Sequence, residues 1–155
     1  MLNVGQPAPD FDLPDADLNV VSLDGYKGTS NVVLYFYPKD DTPGCTIEAI
    51  DFSELQDAFL GLDTVVLGVS MDDCVSHGSF RDKHGLAVQL LADAEGEVCT
   101  KYDVLKEKDA GGKGRKRCIV RSTFVIDKKG LVRHALYGVN ARGHATEVLN
   151  LVKEL

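Results

Sequence analysis

Eight consecutive residues carry the most chemistry in this chain: Pro38-Lys39-Asp40-Asp41-Thr42-Pro43-Gly44-Cys45. They follow the apolar run Asn31-Val-Val-Leu-Tyr-Phe-Tyr37 and open a helical pattern. This order places Cys45 in the first turn of a helix, just past the end of a buried strand. Unpaired backbone N–H groups and the helix dipole favour an anion there, so the position favours the thiolate. The thiolate is the nucleophilic form of cysteine, which makes Cys45 a candidate for covalent or redox catalysis.

The elements that must position it are legible from pattern. Val32–Tyr37 is the first strand, and a helix starts near Pro43, with Thr42 suited to the N-cap and proline to the first helical position. Ala49, Phe52, Leu55 and Phe59 recur at three- and four-residue steps and share one buried face. Cys45 falls on that face and Glu48 one turn after it, so the sulfur points inward or into a pocket. Thr64–Ser70 predicts a second buried strand, followed by a helix from about Asp72 to Lys83. Ala87–Leu91 predicts a short strand and Gly96–Tyr102 a short helix. Lys106–Arg117 is polar, glycine-rich and basic, and is expected to be a mobile loop. It lacks the Gly-Lys-Ser/Thr ending of a phosphate loop. Arg121–Asp127 and Leu131–Tyr137 flank a Lys-Lys-Gly turn and predict a hairpin. Ala145, Val148, Leu149 and Val152 mark a closing amphipathic helix. Residues 1–30, rich in Pro, Asp and Gly, predict an arm with a hairpin around Phe11–Leu13 and Val20–Leu23.

Alternating βα units closed by a hairpin imply an α/β fold, a central mixed sheet with helices on both faces. With 155 residues and no repeat, linker or low-complexity tract, one domain over 1–155 is expected. The net charge of −7 argues against a nucleic-acid or anionic-membrane surface. No apolar stretch is long enough to cross a bilayer, and the N-terminus lacks a signal pattern, so a cytoplasmic protein is expected. The four cysteines, Cys45, Cys74, Cys99 and Cys118, form no C-x-x-C pair. None of His77, His84, His134 and His144 sits at a metal-ligand spacing, so no metal is expected.

Pro38-x-x-x-Thr42-x-x-Cys45 resembles the signature of the peroxiredoxins. The longer stretch LYFYPKDDTPGCTIEAIDF resembles their bacterioferritin comigratory protein (peroxiredoxin Q) branch. The likeness runs from VGQPAPDFDLPD to GHATEVLNLV, nearly the whole chain. It implies a thioredoxin-like fold with an N-terminal extension, and a thiol-dependent peroxidase acting on hydrogen peroxide and alkyl hydroperoxides without a cofactor. By this resemblance Cys45 is the peroxidatic cysteine, oxidised to a sulfenic acid. Thr42 hydrogen-bonds the peroxide, Pro38 shields the thiolate, Arg121 holds sulfur and peroxide oxygens, and Glu48 orients Arg121. Taken singly each has a structural use: helix start, strand terminator, surface strand residue, solvated carboxylate.

The family pattern breaks at resolution of the sulfenic acid. Relatives carry a resolving cysteine five residues after the peroxidatic one, here Ile50, or in the next long helix, here Arg81. Cys74, seven residues before Arg81, is a possible replacement; Cys99 and Cys118 have the character of structural or incidental thiols. A one-cysteine mechanism is therefore expected, with thioredoxin, glutaredoxin or glutathione as reductant, in a monomer. Two readings stay open beside it: a two-cysteine peroxidase resolved by Cys74, and a non-catalytic redox sensor. A thiol–disulfide oxidoreductase is disfavoured, because Cys45-Thr-Ile-Glu48 lacks a second cysteine.

Overall fold

The computed structural model describes residues 1–109 and 111–155, with backbone alone at positions 108, 109, 113 and 115. Its centre is a five-stranded mixed sheet. In chain order the strands are β3 (Asn31–Phe36), β4 (Thr64–Ser70), β5 (Gln89–Ala92), β8 (Ser122–Ile126) and β9 (Val132–Tyr137), and in space they run β5-β4-β3-β8-β9. β3 pairs in parallel with β4, and β4 with β5; β8 is antiparallel to both β3 and β9. The helices are α1 (Pro43–Glu54), α2 (Gln56–Leu60), α3 (Cys74–His84), α4 (Glu97–Lys101) and α5 (His144–Lys153). Among the described residues no helix is long and apolar enough to cross a membrane.

The near-continuous apolar run of β3 has a physical reason: both of its faces are buried, as expected for a central strand covered on two sides. Side chains alternate across a strand. Val33, Tyr35 and Tyr37 therefore join one core with Cys45, Ala49 and Phe52 of α1, Phe80 of α3 and Val148 of α5. Val32, Leu34 and Phe36 join the other core, beneath the N-terminal arm and α4. The arm is the expected hairpin, β1 (Asp12–Pro14) against β2 (Val20–Ser22).

Two expectations need correction. The helix after Pro43 is not continuous to Phe59: Leu55 leaves helical geometry and separates α1 from α2, while Phe59 still reaches the core. The segment expected as a loop over Lys106–Arg117 is instead a second hairpin, β6 (Leu105–Asp109) against β7 (Arg115–Ile119); Ala110, part of that expectation, lies outside the described residues. Its base is held by the pair Leu105↔Ile119, with Ile119 buried in the core. The register sets Glu107 opposite Arg117, a cross-strand pairing of unlike charges. Gly111 and Gly114, both at positive φ, reverse the chain. Beyond the apolar pair Leu105↔Ile119 the sequences over 106–109 and 115–117 are polar and show no apolar alternation, which is why pattern alone misses them.

One close approach within the sheet makes a firm prediction. A Cβ on Gly68 of β4 would stand 2.7 Å from the Tyr35 ring and 3.1 Å from Leu90. Tyr35 is fully buried and stacked on Phe52 at a centroid distance of 4.7 Å, so the ring has nowhere to go. Gly68→Ala is expected to destabilise the fold by about 1–3 kcal/mol, read as a lower urea midpoint at unchanged slope.

Candidate active site

β3 ends at Phe36, and the Tyr37 N–H still donates to Val69 O (3.1 Å). The chain then leaves the sheet through Pro38–Asp41. Asp41 has φ +57°, an uncommon conformation for a residue with a side chain. Thr42 is extended (φ −93°, ψ 155°) and precedes Pro43, the first residue of α1. Thr42 thus holds the N-cap position, but its side chain does not cap: the hydroxyl donates to Lys39 O (2.8 Å). The first turn closes through Thr46 N–H to Thr42 O (2.9 Å). The Gly44 and Cys45 amides come before that turn and have no carbonyl one turn below to take them within the helix. Cys45 is the third helical residue and only 1% exposed.

The sheet register brings Arg121 to the same place. Ser122, the first residue of β8, lies opposite Phe36, the last of β3. Arg121, one residue earlier, therefore stands where the Pro38–Thr42 loop leaves the sheet, and its carbonyl accepts from Val139 N–H (3.0 Å). Its guanidinium makes a two-pronged contact with α1. Nη2 donates to Cys45 Sγ (3.4 Å), and Nη1 donates to Glu48 Oε1 (2.7 Å). Burial works against the Arg121 charge, but Glu48 and Cys45 more than offset it, and the cation is held more strongly than usual.

Glu48 lies one helical turn beyond Cys45 and is fully buried. Its Oε2 has no hydrogen-bond partner among the described residues. Burial pushes its carboxyl up to about 7, and the attraction of Arg121 offsets only part of that. The structure therefore brings Cys45 and Glu48 onto the one Arg121 guanidinium, with Thr42 one turn before Cys45. Pro38 sits exposed at the head of the loop. Beside them an open hollow of about 520 Å³ is lined by Pro43, Gly44, Ile47, Asn140, Ala141 and Arg142. Positive charge and N–H donors around one buried sulfur suit a reaction that builds negative charge beside it.

Gly44 has a steric role in this arrangement. A Cβ there would stand 3.1 Å from Arg121 Nη2. Gly44→Ala is expected to push the guanidinium off the sulfur and slow Cys45 oxidation by about tenfold, with little change in stability because alanine suits a helix. Stopped-flow oxidation beside a thermal melt checks both halves.

The other cysteines differ from Cys45 in setting. Cys74 opens α3 and is half-buried; burial, then Asp73 and Asp15, push its thiol up. Cys99 is fully buried, and burial with Asp93 pushes its thiol far up. Cys118 is half-buried on β7, opposite Lys106. All four thiols are free. Arg81 is tied to Asp17 and Asp82 (3.1 and 3.0 Å). Among the described residues no three metal-ligating side chains converge.

Pattern reading misses a buried polar cluster next to this site. Asp40 is 7% exposed and His77 0%. Asp40 Oδ1 accepts from Tyr37 Oη (2.6 Å), while Oδ2 lies 2.7 Å from His77 Nδ1 and accepts from Ser76 Oγ (2.8 Å). The mostly polar sequence of α3 gives no apolar period that would mark residue 77 as inward-facing. Thr123 Oγ1 of β8 lies 2.7 Å from His144 Nε2 of α5, with the His144 ring held toward its neutral form by burial.

Known proteins resemble this chain along most of its length. Residues 4–135 match the AhpC/TSA family. Peroxiredoxin Bcp of Bacillus subtilis (strain 168) is 43% identical over 154 residues, covering 99% of this chain and 97% of that protein. A cysteine-to-serine variant of Xylella fastidiosa PrxQ superposes with a TM-score of 0.92 at 35% identity, covering 99% of this chain and 97% of that one. The Xanthomonas campestris bacterioferritin comigratory protein, described for its alkyl peroxide reduction activity, superposes with a TM-score of 0.87 at 38% identity, covering 93% and 90%. The thioredoxin-like fold is thus shared along nearly the full length, and the chain belongs to the AhpC/TSA family, in the bacterioferritin comigratory protein (peroxiredoxin Q) branch of the thiol-dependent peroxidases.

Proposed function

We propose that this single-domain chain reduces hydrogen peroxide and alkyl hydroperoxides by a one-cysteine mechanism at Cys45. The observation that carries the reading is the Arg121 fork, which donates to Cys45 Sγ and Glu48 together. The Cys45 thiolate attacks the distal peroxide oxygen; a sulfur–oxygen bond forms as the oxygen–oxygen bond breaks. The leaving hydroxide or alkoxide takes up a proton and departs as water or alcohol, and the sulfur is left as a sulfenic acid. Charge growing on the leaving oxygen meets the Arg121 guanidinium and the Cys45 amide. Thr42, whose proton is engaged by Lys39 O, offers its lone pairs to the peroxide O–H. Pro38 limits water at the rim, and Glu48 fixes the direction of Arg121.

An external thiol then attacks the sulfenic sulfur, releasing water and forming a mixed disulfide, which a second thiol exchanges away. Thioredoxin, glutaredoxin or glutathione would serve, acting on a monomer in the cytoplasm. Resolution from outside is supported by what occupies the two resolving positions: half-buried Ile50 and the ion-paired Arg81. Cys74 is the second reading, since β3 and β4 are parallel neighbours and both helices leave the same edge of the sheet. A bond to Cys45 needs Cα atoms within about 7 Å, and the raised Cys74 thiol is a weak attacker.

Intact mass and thiol counting after one equivalent of hydrogen peroxide test the proposal. One added oxygen on the Cys45 peptide, with three thiols remaining of the four, is the expected result. An intramolecular disulfide to Cys74 replaces the one-cysteine version with the two-cysteine one. Slow, uncatalysed oxidation spread over all thiols overturns the peroxidase assignment to Cys45 and leaves at most a sensor.

A further inference from the structure

We propose that the buried Asp40–His77 pair is a positioning device for the peroxidatic loop, through which α3 sets where Thr42 presents its hydroxyl. The inference rests on the proposed role of Thr42 at Cys45 and goes beyond it to residues on a different helix. Asp40 lies midway along the Pro38–Thr42 loop and is gripped from several elements. Tyr37, just past β3, and Ser76 and His77 of α3 contact its carboxyl group. Its own N–H donates to Asp72 Oδ2 (2.8 Å), which also accepts from Ser70 Oγ at the end of β4 (2.7 Å). The far side of the His77 ring reaches β5, where Nε2 lies 2.9 Å from Leu91 O. With one ring nitrogen at the Asp40 carboxyl and the other at the Leu91 carbonyl, the ring bridges the loop to the sheet.

The neighbours of Asp40 show what the grip controls. Lys39, immediately before it, supplies the carbonyl that takes the Thr42 proton. Asp41, immediately after it, holds its left-handed backbone while its carboxylate meets Lys83 (2.7 Å) and His84 (2.8 Å), also on α3. A shift of residue 40 moves the Lys39 carbonyl and turns the Thr42 hydroxyl.

The test compares two electrophiles at Cys45. Iodoacetamide reads the nucleophilicity of the sulfur, whereas hydrogen peroxide also needs the surrounding groups aligned. In Asp40→Ala/His77→Leu the ratio of peroxide rate to iodoacetamide rate is expected to fall by about tenfold or more, with the iodoacetamide rate nearly unchanged. Asp40→Asn, nearly isosteric, is the second variant should the double fold poorly, and the same direction is expected. Thr42→Val separates the layers. If Thr42→Val lowers the ratio and the Asp40 and His77 variants do not, the positioning role is overturned and the site reading stands. An unchanged ratio in Thr42→Val overturns both.

Discussion

Cys45→Ser is expected to abolish peroxide reduction, down to the uncatalysed background, while Cys74→Ser and Cys118→Ser keep turnover within about twofold. A serine hydroxyl at the same place remains protonated at neutral pH and cannot attack an oxygen–oxygen bond, so the Arg121 fork is left without a nucleophile to assist. The other three cysteines lack that fork. Cys74 and Cys118 are half-buried and outside the Arg121 contact, so serine is accommodated at both. Cys99 is fully buried beside Asp93; Cys99→Ala is expected to cost about 1–2 kcal/mol of stability without slowing the reaction. Steady-state peroxide consumption with a small dithiol as reductant gives the rates. Mass spectrometry after a single turnover gives the oxidised species, which Cys74→Ser must leave unchanged. A switch in that variant from an internal disulfide to a sulfenic acid would identify Cys74 as the resolving residue and end the one-cysteine mechanism.

The central strands and the Cys45 helix were legible because burial on both faces leaves so little freedom in sequence. The run Val32–Phe36 has one physical solution, a central strand, and Thr42-Pro43 has one, a helix start. Arg121 was harder. Nothing local in Arg-Ser-Thr-Phe distinguishes it from a surface residue, and only the family resemblance pointed to it. The structure supplies the physical reason in the register Phe36↔Ser122. The hairpin over β6 and β7 was illegible for the opposite reason: beyond its apolar base its strands are polar, and pairing across a glycine turn leaves no apolar period. Asp40 and His77 are illegible in sequence because a buried polar pair is written as two isolated residues, 37 positions apart, each with an ordinary surface role when read alone. Long-range polar pairs carry no periodicity; they become visible only when the sheet brings their elements together.

Arg121→Met is expected to slow Cys45 oxidation about 100- to 1,000-fold, as for loss of one preorganised donor from a transition state. The same change reports on Glu48. In the intact protein the Glu48 carboxyl is pushed up to about 7, above its ordinary value of 4.5, with burial outweighing the attraction of Arg121. Between those two values the native state holds a proton that the unfolded chain has released. Its contribution to stability is therefore present below 4.5 and lost as pH rises through about 7. Methionine removes the one influence that favoured the anion, so the carboxyl moves higher still and the loss extends to more alkaline pH. Arg121→Met should thus cost little stability at about pH 6 and progressively more above neutrality, approaching about 3–5 kcal/mol where Glu48 is forced to ionise unpaired. Urea midpoints at the two pH values measure this. Glu48→Gln added to Arg121→Met removes the titrating group, and the pH dependence should flatten while the slow oxidation remains. Recovery of the rate in that double variant would mean that Arg121 serves only to neutralise Glu48. A rate that stays low with stability restored would separate the two roles of the guanidinium, the prong on the sulfur for the reaction and the prong on the carboxylate for the fold.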